Sequence, residues 1–300
     1  MFLTLFTYLS IIAFFGLSLY KAAQFAKMPM HGRWELYPVP KEADDKRHYG
    51  GSFYEDVEYW NKPRQVSHVG EIVDMLKEML FIKNLFVNQR RQWWICYAMH
   101  LGIYLLFLWA AMLFVGGIIE VSGTAVTATA GGIAGFVYYI TLLSGAAGGI
   151  LLAVGAIGMF FKRIFDETLN KYTNPNEFFN LFFLFAVAAT GLVVWSGDIG
   201  FNYGREIMVS LLTFSPIQAD FALTVHILLL GAVMIYIPQS KMSHYVGKYF
   251  SFHKVLWENT PNLRGSEMEK IVKESFNYQP KTKTSWSAPH INPGAAQSEK

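Results

Sequence analysis

Five stretches of the chain are almost uniformly apolar, and most of the polar residues fall in the segments between them. The apolar runs cover roughly Phe2–Tyr20, Trp93–Ile118, Gly131–Phe161, Phe178–Trp195 and Phe221–Pro238. Each is close to or longer than the ~20 apolar residues that a membrane-crossing helix needs. The pattern predicts an all-α membrane protein with five transmembrane helices. A different pattern precedes the second run, in VGEIVDMLKEMLFIKNLFVNQRR. There Ile72, Met75, Leu76, Met79, Leu80 and Phe86 recur near helical spacing, opposite Glu71, Asp74, Lys77, Glu78 and Lys83. That periodicity predicts an amphipathic helix lying in the membrane interface. Arg90, Arg91, Trp93 and Trp94 then mark the headgroup boundary.

Composition agrees: 53% hydrophobic and only 16% charged residues exclude an ordinary soluble domain. Charge placement adds an orientation. Twelve Lys and Arg lie between Lys21 and Arg91, three in the Lys162–Lys171 turn and nine from Lys241 onward, leaving Arg205 alone on the other side. The opposite loops carry Glu120, Asp198, Glu206 and Asp220. The positive-inside rule therefore places the long first loop, the middle turn and the tail in the cytoplasm. No basic residue precedes the first run and Lys21 follows it, the reverse of a secretory signal, so a retained span with its N-terminus outward is expected. The expected organisation is a first span over residues 1–20, a cytoplasmic loop with an interfacial helix over 21–91, a four-helix bundle over 92–240 and a cytoplasmic tail over 241–300.

The first loop is rich in tryptophan and tyrosine, unlike a disordered linker. It folds either onto a partner protein or onto its own bundle, and the tail from Trp257 is expected on a cytoplasmic partner. The third span holds Gly131/Gly135 and Gly145/Gly149, a small-xxx-small spacing that lets helix backbones approach. Helix packing is the simpler reading of these glycines; room for a flat macrocycle is the other. No internal repeat is evident, which argues against an inverted-repeat transporter. Nothing calls for a nucleic-acid partner. The single cysteine, Cys96, rules out disulfides, and with no C-x-x-C-H stretch the chain holds neither an iron–sulfur cluster nor a c-type haem of its own.

Three histidines stand in or beside spans. His226 and His244 are eighteen residues apart, five whole turns if the helix runs straight, which separates two rings on one face by ~27 Å. His100 lies seven residues beyond Trp93, ~10 Å from the cytoplasmic interface at ~1.5 Å per residue. The fifth span returns to that side, so His100 and His244 share a depth on different segments, while His226 lies toward the outer leaflet. Two imidazoles facing across a gap suit a six-coordinate, electron-transferring haem b. Taken singly, each ring could equally be a packing or hydrogen-bonding residue. His31, His48, His68, His253 and His290 carry no assigned chemistry. For a quinone site, which must also move protons, the outward Asp198, Asp220, Glu120 and His226 are the available groups.

These features together resemble the five-span cytochrome b subunits typified by the gamma subunit of respiratory nitrate reductase. The nearer likeness is to the membrane cytochromes of heterodisulfide-reductase-like complexes, including the Dsr and Tmc complexes of sulfate reducers. The resemblance rests on MHLG in the second span, on His226 with His244, and on the segments HGRWELYPVP, YGGSFYEDVEYWNKPR and TSWSAPH. It extends over nearly the whole chain.

The resemblance implies two stacked b haems, a menaquinone site near the outward one, and electron exchange with a cytoplasmic iron–sulfur, heterodisulfide-reductase-like subunit in the cytoplasmic membrane. An outward multihaem cytochrome c and further membrane subunits stay open as partners. His100 and His244 match the ligands of the cytoplasmic-side haem, and His226 matches one ligand of the outward haem. The outward partner should come ten residues after His100, where this chain has Ala110. Three readings follow: Met112 supplies a thioether ligand, or His226 instead hydrogen-bonds a quinone, or His226 is structural. Outside this family, a haem-poor membrane anchor or a proton-relay transporter accounts for the same hydropathy.

Overall fold

The computed structural model describes residues 1–28, 38–42, 45–49, 51–260 and 262–276. Their helices are α1 (Phe2–Ala26), α2 (His68–Phe81), α3 (Lys83–Asn88), α4 (Arg90–Val121), α5 (Gly132–Phe165), α6 (Glu167–Tyr172), α7 (Pro175–Gly197), α8 (Asn202–Leu212), α9 (Phe221–Tyr236), α10 (His244–Ser251) and α11 (Glu267–Phe276). No β-strand occurs among the described residues, only an isolated bridge between Glu42 and Val66. Helices α1, α4, α5, α7 and α9 are long and apolar enough to cross a membrane, the last continuing through a short 3-10 turn to Gln239. The chain is an all-helical, multi-pass membrane protein.

Local chemistry sets the helix ends. Asn174 caps α7 by accepting from the Glu177 N–H at 3.2 Å, with Pro175 in the first turn where its missing N–H is harmless. Asp220 caps α9 through the Leu223 N–H at 2.8 Å. The 32-residue α4 is ~48 Å long at ~1.5 Å per residue, well beyond a ~30 Å hydrocarbon core. Its N-terminus, with the ends of α1, α5 and α9 and the start of α7, forms the basic end of the bundle; the opposite end is acidic.

Packing runs α4 on α5, α5 on α7, α7 on α9 and α9 on α1, with α8 touching both α4 and α1 at the acidic end. Helix α1 shows how a lipid-facing helix is built. Leu5, Leu9, Ile12, Phe15 and Leu19 are exposed along one stripe, while Thr4 and Ser10 are buried against the protein. With no water in hydrocarbon, the polar groups turn inward and are met there. Thr4 donates to the Ser215 carbonyl and accepts from the Ile217 N–H, and Tyr8 donates to the Leu211 carbonyl.

The glycines of α5 serve packing: of the two pairs that the spacing singled out, Gly145/Gly149 meets neighbouring side chains and Gly131/Gly135 does not. Gly131 faces open space and Gly135 meets only Ala130 of the preceding turn. The close approach instead sets Gly102 of α4 against the Leu152 backbone and Gly148, and Gly155 against the Met99 backbone. Gly145 lies under Trp109 and Phe201, and Gly149 faces Leu192. Gly145 and Gly149 are thus covered by side chains of α4, α7 and the turn before α8, as the packing reading expects.

At the acidic end, Arg205 of α8 is 1% exposed. Its Nε lies 3.3 Å from Glu120, Nη1 donates to the Gly200 carbonyl at 2.9 Å, Nη2 donates to Asn202, and the guanidinium covers the Tyr138 ring. Arg205→Met is expected to strand Glu120 and lower stability by about 3 kcal/mol, the lower part of the range for breaking a buried pair. The lower part applies because Glu120 keeps 26% exposure. Thermal unfolding in detergent measures it, with Arg205→Lys falling between the two.

Residues from Glu258 onward form a separate unit. Within it Ser266 caps α11 through the Glu269 N–H, and the Glu269 carboxylate accepts from the Gly265 N–H. The segment TSWSAPH lies outside the described residues, as does most of HGRWELYPVP. Trp257, at the start of the expected partner-binding tail, is fully buried within its own chain against Val39, Met75 and Phe252.

Candidate functional site

The straight five-turn helix between His226 and His244 is not what forms. Pro238 cannot donate to the preceding turn, and Ser240 is extended at φ −102°, ψ 179°. The chain breaks there, makes a second 3-10 turn over Lys241–Ser243, and starts α10 at His244. The break moves His244 off the α9 axis and toward α4.

The His244 ring meets His100 with ring centres 6.1 Å apart and planes inclined by 62°. His100 Nδ1 lies 2.7 Å from the Cys96 carbonyl one turn back, and His244 Nδ1 lies 3.2 Å from the Lys241 carbonyl. A backbone carbonyl only accepts, so Nδ1 carries the proton in both rings and Nε2 keeps its lone pair. This is the tautomer that a metal-binding histidine uses, with its second nitrogen held by an outer partner. An imidazole nitrogen sits ~2.0–2.1 Å from a bound ion and the ring centre about 1 Å beyond it. Two rings on opposite sides of one iron therefore have centres about 6 Å apart, close to what is seen.

Among the described residues no group of three or more His, Cys, Asp or Glu gathers as a metal site. Two imidazoles alone do not complete a protein-only zinc or iron centre, which needs three or four protein ligands. They do complete an iron whose other four positions come from a porphyrin. The residues present fit a haem b.

Helix α10 is held from two sides. Lys248 pairs with Glu78 at 2.6 Å, and the other oxygen of Glu78 accepts from the Asn84 N–H at 2.8 Å. His253 Nε2 lies 3.2 Å from Glu71, its ring stacked on Tyr249. Glu71 and Glu78 stand two turns apart on α2, Glu78 holding α10 and Glu71 facing the π-helical turn that follows it. From α1, Ser18 bonds Tyr245 and Phe14 stacks on the same ring. The α2 helix is also tied to α4, through Tyr104 donating to the Met79 carbonyl and Trp93 to that of Phe81. The charged face of α2 thus turns toward the protein, while Val69, Ile72, Leu76 and Leu80 are exposed.

His226 sits on α9 beside α7, with Nδ1 3.1 Å from Thr190. The Thr190 hydroxyl donates to the Ala186 and Val187 carbonyls, so it accepts from the ring and leaves Nε2 of His226 with its lone pair. Gly191 lies flat against the ring; a Cβ there would stand 3.0 Å from Cε1. Neither Thr190 nor Gly191 was legible beforehand, because nothing in a span's hydropathy says which small residue faces a histidine on another helix. Met112 packs in the cluster of Val126, Ala134 and Val137.

The three carboxylates of the acidic end are committed to structure. Glu120 pairs with Arg205, Asp220 caps α9, and Asp198 accepts from Asn202 and from the Tyr203 N–H. An aromatic group stands nearby: Trp109 and Trp195 both pack on Phe201, which holds a left-handed φ of 55°. No family model, no characterised protein and no solved structure matches the chain.

Proposed function

We propose that the chain is an integral-membrane cytochrome b subunit that transfers electrons between the menaquinone pool and a cytoplasmic iron–sulfur subunit of a respiratory complex. In this reading the basic end faces the cytoplasm and the N-terminus lies outward. The observation that carries the reading is the His100–His244 pair: two rings from segments far apart in sequence, each with Nδ1 held by a carbonyl and Nε2 free.

His100 and His244 would hold the iron of a haem b, which supplies one-electron transfer when bound and carries no protons. The chain's own part is positional. The carbonyls of Cys96 and Lys241 fix the tautomers, and the Lys248–Glu78 pair holds α10 so that His244 stays opposite His100. On the acidic half, His226 retains a free nitrogen for a quinone oxygen or a second iron, with Thr190 holding the ring in place. The engaged state of Glu120, Asp198 and Asp220 favours His226 over them as the proton-handling group.

The test is a reduced-minus-oxidised spectrum of the purified full chain, with haem per polypeptide by pyridine haemochrome. A b-type signal at one haem per chain or more is expected. A chain that takes up no haem b would be an anchor or a transporter instead.

A further inference from the structure

The turn between α5 and α7 carries chemistry that electron transfer does not use. Helix α5 ends in Phe161, Lys162, Arg163, Ile164 and Phe165, and α6 follows after a single residue. Phe165 is 79% and Tyr172 83% exposed, and Phe161 and Ile164 are exposed as well. At the end of a spanning helix, such side chains need lipid or another apolar cover. Beside them a groove of about 400 Å³ is lined by Ile164, Phe165, Glu167, Asn170 and Lys171.

Most polar groups around this groove are satisfied within the chain. Arg163 donates to Thr173 and Glu177, Asp166 caps α6 through the Thr168 and Leu169 N–H groups, and Asn170 donates to the Arg163 carbonyl. Glu167 and Lys171 are different. They stand four residues apart on one face, the spacing at which a helical ion pair forms, yet no hydrogen bond or ion pair engages either side chain among the described residues. The Lys162 ammonium, on the last turn of α5, is likewise unpaired. The groove is therefore lined by an unengaged carboxylate, an unengaged ammonium and the apolar side chains of Ile164 and Phe165 at the end of the span.

The structure assigns this groove to a phospholipid whose head group carries both a phosphate and a primary ammonium. The phosphate meets Lys171, the ammonium meets Glu167, and the acyl chains lie along Phe161, Ile164 and Phe165. A purely anionic head group would share the Lys171 contact but face the Glu167 carboxylate without a counter-charge. A quaternary ammonium cannot donate a hydrogen bond to it. The ligand chemistry is thus that of phosphatidylethanolamine, ahead of phosphatidylglycerol or phosphatidylcholine.

The full chain is placed in nanodiscs of phosphatidylcholine doped with phosphatidylethanolamine or phosphatidylglycerol, and retained lipid is counted by native mass spectrometry after mild delipidation. The wild type is expected to retain phosphatidylethanolamine preferentially. Glu167→Gln should cut that retention about tenfold, the loss expected for one charge-assisted hydrogen bond, without weakening phosphatidylglycerol. Lys171→Gln should weaken both. Both side chains are exposed, so thermal midpoints should be unchanged, which separates lipid loss from misfolding. Equal retention of the three lipids by the wild type overturns the assignment. So does unchanged retention in both variants, or a Lys171 amine that is shielded from acylation only when another protein subunit is bound.

Discussion

Removing either imidazole of the basic-end pair is expected to cost the chain one b-type haem. His100→Ala and His244→Ala should each lower haem per polypeptide by one by pyridine haemochrome, whereas His226→Ala should spare that haem. The argument is geometric. The two rings meet with centres 6.1 Å apart, so removing one leaves the other without its partner. Cys96 is a nearby side chain able to complicate the result. Its sulfur lies 3.6 Å from His100 Nδ1 and is a competent iron ligand once the ring is gone. The His100→Ala change is therefore best made in a Cys96→Ser background as well. Full haem content in both single variants would show that the two rings are packing partners and no more. A midpoint potential raised by His100→Met, with haem retained, would support the assignment independently, since a thioether ligand raises the potential.

The second large effect is expected at the α4–α5 contact. A side chain at Gly102 would fall on the Leu152 amide and stand 2.9 Å from the Gly148 carbonyl. One at Gly155 would fall on the Met99 amide, 2.6 Å from its Cα. Backbone cannot rotate away as a flexible side chain can, so the two helices must separate. Gly102→Leu and Gly155→Leu are each expected to lose about 3 kcal/mol or more, at or beyond the upper part of the usual overpacking range. The b-type haem proposed for the basic end should be lost with them, because α4 carries His100. Gly149→Ala meets only the Leu192 side chain at 3.1 Å, and Gly131→Ala meets nothing within 4 Å. Both should unfold near the wild-type temperature in detergent. If Gly102→Leu matched Gly131→Ala, the close approach would be wrong.

These two experiments touch different levels of what was readable beforehand. The α5 glycines were legible as packing residues, but Gly131/Gly135 and Gly145/Gly149 were singled out over Gly148 and Gly155. Regular spacing shows that a face is smooth. It does not show which part of that face a neighbour covers, and α4 covers the part that carries its own Gly102. The outward acids were legible as charges at a membrane boundary, yet Glu120 is held by an arginine eighty-five residues away and Asp220 by its own helix start. The histidine depth match was legible from alternating spans, while its basis was not. Five straight turns would have set His226 and His244 on one face of a single helix, and a break after Pro238 forms instead.

What the sequence determined alone is therefore what local physics fixes. Hydrocarbon forces every backbone group of a span to bond within its own helix, so length and apolarity suffice to find α1, α4, α5, α7 and α9. Amphipathic periodicity likewise suffices for α2. Tertiary structure alone decided which rings meet. The position of His244 depends on a kink, on Lys248 reaching Glu78 across 170 positions, and on α1 packing against Tyr245. Contacts between distant segments are settled by how whole helices fit together, and no window of sequence holds that information.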